Sequence, residues 1–194
     1  MVLASTTYFI FLAGVFLLYW PLSRWRAASL AVLLFANYFF YAKYDLFYLG
    51  LIPAASFGDY LIGRGLGWAK RGWARRGLVG LSLLMNLGIL ASFKYMPFLL
   101  GAWGAAAGRE APQWHWSFPL GISFYCFQSL TYTIDLYRRD GQPVRSLLTH
   151  MTAVSFFPTT LSGPITRVLA LAPQLEKTGR GLAEGDAGRA LFRI

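Results

Sequence analysis

Long stretches without a charged residue constrain this 194-residue chain more than any other feature of its sequence. Five of them contain neither acidic nor basic side chains: 1–22, 27–42, 77–93, 111–134 and 146–166. A hydrocarbon core about 30 Å thick is crossed by a helix of about 20 apolar residues. The stretches therefore predict an all-α, polytopic transmembrane protein.

Four of these stretches, with the helical residues at their edges, predict spans near 3–22, 27–43, 77–100 and 118–137. Residues 46–63, which only Asp59 interrupts, predict one more, so that we expect about five spans. The alternative is a set of buried core helices in a large soluble enzyme. Such helices would need a polar outer face, whereas residues 8–20 are apolar all round. Only 13% of the residues are charged, about half the usual share in a soluble domain.

Lysine and arginine are distributed unevenly among the predicted loops. The loops after spans one, three and five contain most of them: Arg24, Arg26, Arg64, Lys70, Arg71, Arg75, Arg76, Arg138, Arg139 and Arg145. The two other loops contain only Lys43 and Arg109. The positive-inside rule then places the odd loops in the cytoplasm and the N-terminus on the extracytoplasmic side. Attraction to anionic lipid explains most of the net charge of +10, so no nucleic-acid partner is expected.

Residues 146–166 interrupt this alternation, because a complete crossing would put the basic tail on the outer side. The segment also contains Pro158, Gly163 and Pro164. Irregular backbone at membrane depth persists only where protein or enclosed water satisfies its amide groups. We therefore predict a re-entrant segment that is packed inside a larger helical assembly.

A polar stripe runs along the fifth predicted span. Gly121, Tyr125, Gln128, Tyr132 and Asp135 follow one another at spacings that place them on one helical face. Two interpretations stay open. The stripe lines a functional path through the membrane, or its side chains cross-link neighbouring helices.

The remaining ionisable groups give weaker indications. Asp135 is close in sequence to Arg138 and Arg139, which favours an interfacial ion pair. Asp59 and Lys94 are candidates for a pair across two helices.

Neither histidine has the sequence context of a catalytic residue. His115 lies between two tryptophans, which is typical of an interfacial aromatic belt, and His150 is a candidate for lining a cavity in the re-entrant segment. The single cysteine, Cys126, excludes an internal disulfide. No nucleophile elbow, phosphate-binding glycine loop or metal-ligand spacing is present in the sequence, so we expect no metal and no bound cofactor.

Residues 119–137, PLGISFYCFQSLTYTIDLY, resemble the signature of the membrane-bound O-acyltransferases, in particular the bacterial branch that acetylates alginate and related polysaccharides. The resemblance continues through SFFPTTLSGPITR at 155–167 and into residues 173–175. The N-terminal half also fits, with FANYFFYAKYD at 35–45 and FKY at 93–95. It covers nearly the whole chain.

The resemblance implies one fold of many helices around a tunnel in a bacterial inner membrane. An acyl group, most simply acetyl, would pass from a cytoplasmic thioester donor such as acetyl-CoA or an acyl carrier toward an extracytoplasmic polysaccharide, with periplasmic partner proteins completing the transfer. By resemblance, the stripe belongs to a core helix and the prolines to a bend near the tunnel. With His150, the tunnel-lining candidates are Tyr125, Gln128, Tyr132, Asp135, Pro158, Gly163 and Pro164.

One part of the family pattern has no counterpart here. The essential histidine of the family lies in a Trp-His-Gly segment, which this sequence lacks. We therefore expect the chain to be an N-terminal portion of such an enzyme that is catalytically incomplete by itself. We assign the catalytic role to no residue of this chain. The alternatives are a noncatalytic scaffold of a polysaccharide-modification complex and, less favoured, a small transporter.

The re-entrant prediction is testable by chemical labelling. In a chain whose Cys126 is replaced by Ala, a cysteine introduced at Gly181 should react with an impermeant maleimide only from the cytoplasmic side. A cysteine at Arg109 serves as the control and should react only from outside. Labelling of the Gly181 position from outside would contradict the prediction.

Overall fold

A computed structural model of the chain describes residues 6–43, 46–110, 121–162 and 166–176. These residues form nine α-helices and no strand, which confirms the all-α prediction. The helices are α1 (Thr6–Leu22), α2 (Arg26–Ala42), α3 (Tyr48–Trp68), α4 (Gly72–Lys94), α5 (Met96–Ala107), α6 (Ile122–Arg138), α7 (Leu147–Val154), α8 (Phe157–Ser162) and α9 (Val168–Glu176).

The helix with the polar stripe, α6, is the centre of the bundle, since it packs against α3, α4, α7, α8 and α9. Its stripe residues are buried, whereas Phe124, Phe127 and Ile134 on the opposite side are about 40% exposed. The two faces of α6 thus match its alternation of polar and apolar residues. The polar face contacts protein.

The helix boundaries differ from the predicted spans in α3 and α4. The third predicted span ends at residue 63, whereas α3 continues to Trp68, and α4 begins at Gly72 rather than at residue 77. The predicted span 77–100 is two helices, because α4 ends at Lys94 and α5 begins at Met96. Pro97 lies in the first turn of α5. A proline there needs no amide partner, but inside a longer helix it would remove a hydrogen bond and clash with the preceding turn.

Length and composition qualify α4 alone, among the described helices, as a helix able to cross a bilayer. The apolar helices α1, α2 and α5 are shorter. The number of spans therefore stays a prediction.

The three loops richest in basic residues meet at one end of the bundle, which we call the basic end. Arg75, at the start of α4, contacts the last turns of α3 and α6. Arg26, at the start of α2, forms an ion pair of 2.9 Å with Glu176 of α9. Residues 140–145 and the end of α9 line one cavity. The loops that the sequence places on one side of the membrane are thus neighbours in space.

Arg75 holds this end together without a carboxylate partner in the part of the chain that the structure describes. Its guanidinium donates to the carbonyl oxygens of Leu66 at 2.6 Å, Leu136 at 2.7 Å and Tyr137 at 2.9 Å. These carbonyls belong to the last turns of α3 and α6, where a helix runs out of amide donors and the helix dipole favours a cation. The Leu136 carbonyl also accepts from the Arg139 amide at 3.1 Å. The Arg75 side chain therefore caps two helices and fixes their ends against each other.

Replacing Arg75 with Gln should lower the free energy of unfolding by roughly 2–4 kcal/mol, because three carbonyl groups lose a charged donor. Denaturant titration of the purified protein in detergent measures the change. The neighbouring Arg76 is exposed, and Arg76→Gln removes the same charge with an expected effect within about 0.5 kcal/mol. Equal losses in the two variants would show that charge, and not capping, is responsible.

Candidate functional site

The predicted re-entrant segment is a broken helix. Its first part, α7, begins after Ser146, whose side chain accepts a hydrogen bond from the Thr149 amide at 3.3 Å. The helix ends at Val154 and α8 begins at Phe157. The interruption therefore precedes Pro158, the residue at which the sequence suggested a bend. Pro158 lies in the first turn of α8, a position that tolerates proline.

Asn37 of α2 supplies the hydrogen bonds that this interruption leaves unmade. Its amide nitrogen donates to the carbonyl oxygen of Thr152 at 3.2 Å and to the hydroxyl of Ser155 at 3.3 Å. Its amide oxygen accepts from the backbone amide of Phe157 at 3.1 Å. One fully buried side chain thereby bridges the last turn of α7 and the first amide of α8.

Gln128 of α6 reaches the same interruption from the opposite side. Its amide nitrogen donates to the carbonyl oxygen of Ala153 at 2.9 Å, and its oxygen lies 3.5 Å from the hydroxyl of Thr159 in α8. Gln128 is 2% exposed. This geometry corresponds to the second interpretation of the stripe, in which its side chains cross-link neighbouring helices. A tunnel-lining role stays a prediction.

Tyr132, also on the stripe, holds the loop after α6 from the inside of the bundle. Its hydroxyl accepts a hydrogen bond from the Val144 amide at 3.2 Å, and Tyr60 donates to the Arg145 carbonyl at 2.8 Å. Gly63 makes room for the Tyr132 ring, since a Cβ there would lie 2.6 Å from it.

His150 of α7 lies beside both tyrosine rings, with centroids 4.7 Å from Tyr132 and 5.8 Å from Tyr60. The histidine is fully buried. Neither ring nitrogen meets hydrogen-bond geometry with any described residue, although the backbone of Ser56 lies nearby. Among the described residues, His150 thus has no acid, base or hydroxyl partner that would orient it for proton transfer.

A buried carboxylate joins α3, α4 and α6 one layer further in. Asp59 accepts hydrogen bonds from Ser82 at 3.1 Å, from Asn86 at 3.0 and 3.2 Å, and from Ser129. All four side chains are fully buried. A carboxylate in an apolar interior is costly unless it is hydrogen-bonded in this way.

The stripe residue next to this cluster, Tyr125, links α6 to α3. Its hydroxyl lies 3.0 Å from the hydroxyl of Ser56. Sequence reasoning missed the partners of the stripe and of Asp59. Their common signal is a Ser or Asn that interrupts the apolar residues of a helix: Asn37, Ser56, Ser82, Asn86 and Ser129.

The predicted pair of Asp59 and Lys94 is absent. Asp59 is occupied by hydroxyl and amide donors, and Lys94 ends α4 with its ammonium 5.5 Å from the Tyr95 ring. The prediction was wrong because three uncharged donors stabilise a buried carboxylate without the cost of desolvating a second ion.

The predicted partner of Asp135 was also wrong. Asp135 lies 4.0 Å from Arg167, which follows the broken segment, while Arg138 pairs with Asp140 at 3.4 Å. Ser146 and Arg167 thus bring both ends of the segment to the basic end of the bundle. A re-entrant path requires this arrangement, and the path itself stays a prediction.

The other candidates are less informative. Pro158 borders a cavity of about 140 Å³ whose lining is apolar, between α1, α2 and α8. Gly163, Pro164 and His115 lie outside the described residues. No group of three or more metal-ligating side chains occurs among the residues that the structure describes.

Comparison with known proteins places the chain in a family. The chain is 33% identical to a protein of Pseudomonas syringae pv. tomato named "Probable alginate O-acetylase AlgI", over 99% of its own length. A protein of Azotobacter vinelandii with the same name is 34% identical over 90% of the chain. The chain belongs to the family of these bacterial O-acetylases. The resemblance seen in the sequence is thereby confirmed.

A more distant relative has a different named substrate. It is "Peptidoglycan O-acetyltransferase" of Helicobacter pylori, 26% identical over 74% of the chain. The chain spans 38%, 36% and 32% of the lengths of the three relatives, in the order given. No protein-family model matches the chain, and no solved structure matches it.

Replacing Asp59 with Asn should lower the free energy of unfolding by about 1–3 kcal/mol. An amide has one acceptor oxygen in place of two, and its NH2 group would face side chains that donate to the carboxylate. Asp140→Asn is the matched control. The Asp140 side chain is 45% exposed, and its exposed ion pair contributes at most about 1 kcal/mol. Denaturant titration in detergent compares them, and indistinguishable losses would contradict a structural role for the buried cluster.

Proposed function

We propose that the chain is the N-terminal part of a membrane O-acyltransferase that moves an acetyl group from a cytoplasmic thioester donor toward an extracytoplasmic polysaccharide such as alginate. The observation that carries the proposal is the similarity, over 99% of the chain, to a protein named for alginate O-acetylation. Acetyl-CoA and an acyl carrier are the candidate donors. Periplasmic acetyl-transfer proteins are the proposed partners, and the inner membrane is the proposed location.

The surface of the bundle supports a location in lipid. Large apolar side chains are exposed on several helices, for example Ile10 at 68% and Leu17 at 69% on α1, Phe35 at 72% on α2 and Leu84 at 73% on α4. So many exposed large apolar side chains are unusual on proteins that face water and favour a membrane or protein contact. Lipid is the simplest partner for a face that is apolar on so many helices.

Within this function, the described residues provide the frame and not the reacting groups. Asn37 and Gln128 hold a broken helix in place. The second part of this helix contains Pro158, one of the residues that the resemblance assigns to a bend near the tunnel. General acid-base catalysis requires a group within hydrogen-bond reach of the reacting hydroxyl, and His150 is enclosed by packed side chains. We therefore assign no catalytic residue to this chain, and a noncatalytic scaffold is the alternative proposal.

The proposal is tested with the complete open reading frame in an alginate-producing bacterium that lacks its own alginate O-acetylase. Expression should restore ester-linked acetyl groups, measured by NMR of the purified polysaccharide. Gln128→Leu should reduce acetylation severalfold at equal protein level in the membrane, because α6 loses its hydrogen bond to α7. Gln174 is exposed on α9, so Gln174→Leu should leave acetylation unchanged.

Two results would overturn parts of the proposal. A protein that reaches the membrane and yields no acetyl ester would favour the scaffold. Equal acetylation by the Gln128 and Gln174 variants would remove the broken helix from the functional account.

A further inference from the structure

A cleft lined by basic side chains lies at the basic end of the bundle, between the α3–α4 and α6–α7 loops. It consists of two adjoining cavities of about 310 and 260 Å³ that share Gly67, Gln142 and Pro143. Gly67 permits the contact between the loops, because a Cβ there would lie 2.6 Å from the Pro143 ring. The cations along the cleft are Arg64, Lys70, Arg75, Arg139 and Arg145.

No carboxylate lines these two cavities among the described residues. The acidic side chains nearest in the fold are paired with cations outside the cleft: Asp140 with Arg138, Glu176 with Arg26, and Asp135 with Arg167. Within these two cavities the five cations thus have no counter-charge from the described residues. Arg145 also lines a neighbouring cavity of about 320 Å³, which Asp140 and Glu176 border. Such a cleft concentrates anions, because opposite potentials at a surface attract and orient charged ligands.

The cleft cations differ in how far they are already engaged. Arg75 is occupied by three carbonyl groups and thereby offsets the negative ends of α3 and α6, which would otherwise repel an anion. Arg64 stacks on Trp68 with 5.2 Å between the guanidinium carbon and the ring centre. Lys70 and Arg139 are exposed and have no ion-pair partner among the described residues.

The backbone of Arg139 is a second unusual feature of this cleft. Arg139 caps α6 with φ of 66°, the only positive φ at a non-glycine position among the described residues. Glycine is favoured there because it has no Cβ to crowd the backbone. An arginine at this position adds a cation to the cleft at a conformational cost that glycine would avoid.

We propose that this cleft binds a phosphate group of an anionic ligand, with Lys70 and Arg139 as the principal contacts. Arginine donates two parallel hydrogen bonds to phosphate oxygens and lysine contributes a point charge, and both kinds of bond are stronger than neutral ones. Two sources supply the same chemistry: the phosphates of coenzyme A, which is a soluble nucleotide thiol, and the headgroup of an anionic lipid. The first source rests on the proposed function, which gives acetyl-CoA as a candidate donor. Because binding is measured without acetyl transfer, the binding proposal and the proposed function can fail separately.

The test uses the full-length protein and two variants with the same change in charge. The cleft variant combines Lys70→Gln with Arg139→Gly, and the control combines Arg24→Gln with Arg76→Gln, two exposed positions outside the cleft. Coenzyme A binding is measured by calorimetry in neutral detergent. Lipid binding is measured by flotation of the protein in nanodiscs with vesicles that contain phosphatidylglycerol or phosphatidylcholine alone.

The cleft variant should bind at least one probe about tenfold or more weakly, since two charge-assisted contacts are lost, while the control stays within about twofold of the wild type. Loss for coenzyme A identifies a soluble phosphate ligand, and loss for phosphatidylglycerol identifies a headgroup. Thermal unfolding should show no loss of stability in Arg139→Gly, because glycine relieves the left-handed backbone. Equal weakening in both variants, or weakening in neither, would overturn the proposal.

Discussion

The interruption between α7 and α8 is the constraint on which the arrangement of the other helices depends. Where a helix stops inside a protein, amide and carbonyl groups lose their partners, and each unsatisfied buried group costs about 1–3 kcal/mol. Asn37 from α2 and Gln128 from α6 supply the missing partners. The two helices must therefore approach the break from fixed directions, which positions α6 at the centre of the bundle.

The same rule explains the remaining polar contacts of the interior. Arg75 completes the carbonyl ends of α3 and α6, and Asp59 collects three donors from α4 and α6. In each case the polar group is matched by uncharged partners, so no second ion is buried. The apolar side chains fill the space between helices, and the few polar side chains determine which helices are neighbours.

The sequence predicted those features that depend on local periodicity. Charge-free stretches predicted the helices, and the spacing of Tyr125, Gln128 and Tyr132 predicted the buried face of α6. Partners distant in sequence were not accessible in this way. Asn37 meets the broken segment across 115 residues, and no pattern around it indicates that contact.

Two further differences between prediction and structure have separate causes. Asp135 has arginines three and four residues away in the sequence, yet the folded chain brings Arg167 to it. The helix break at Tyr95 was missed because, apart from Lys94, the residues on both sides of it are mostly apolar, and Pro97 in the first turn of α5 is the feature that separates α4 from α5. Apolar composition alone does not distinguish one long helix from two.

The loop that borders the basic cleft is anchored from below by the phenol groups of Tyr60 and Tyr132. Both rings rest on His150, which has no access to solvent. The position of this part of the surface thus depends on an aromatic stack in the interior. A substitution of the enclosed imidazole would therefore first displace this loop at the surface.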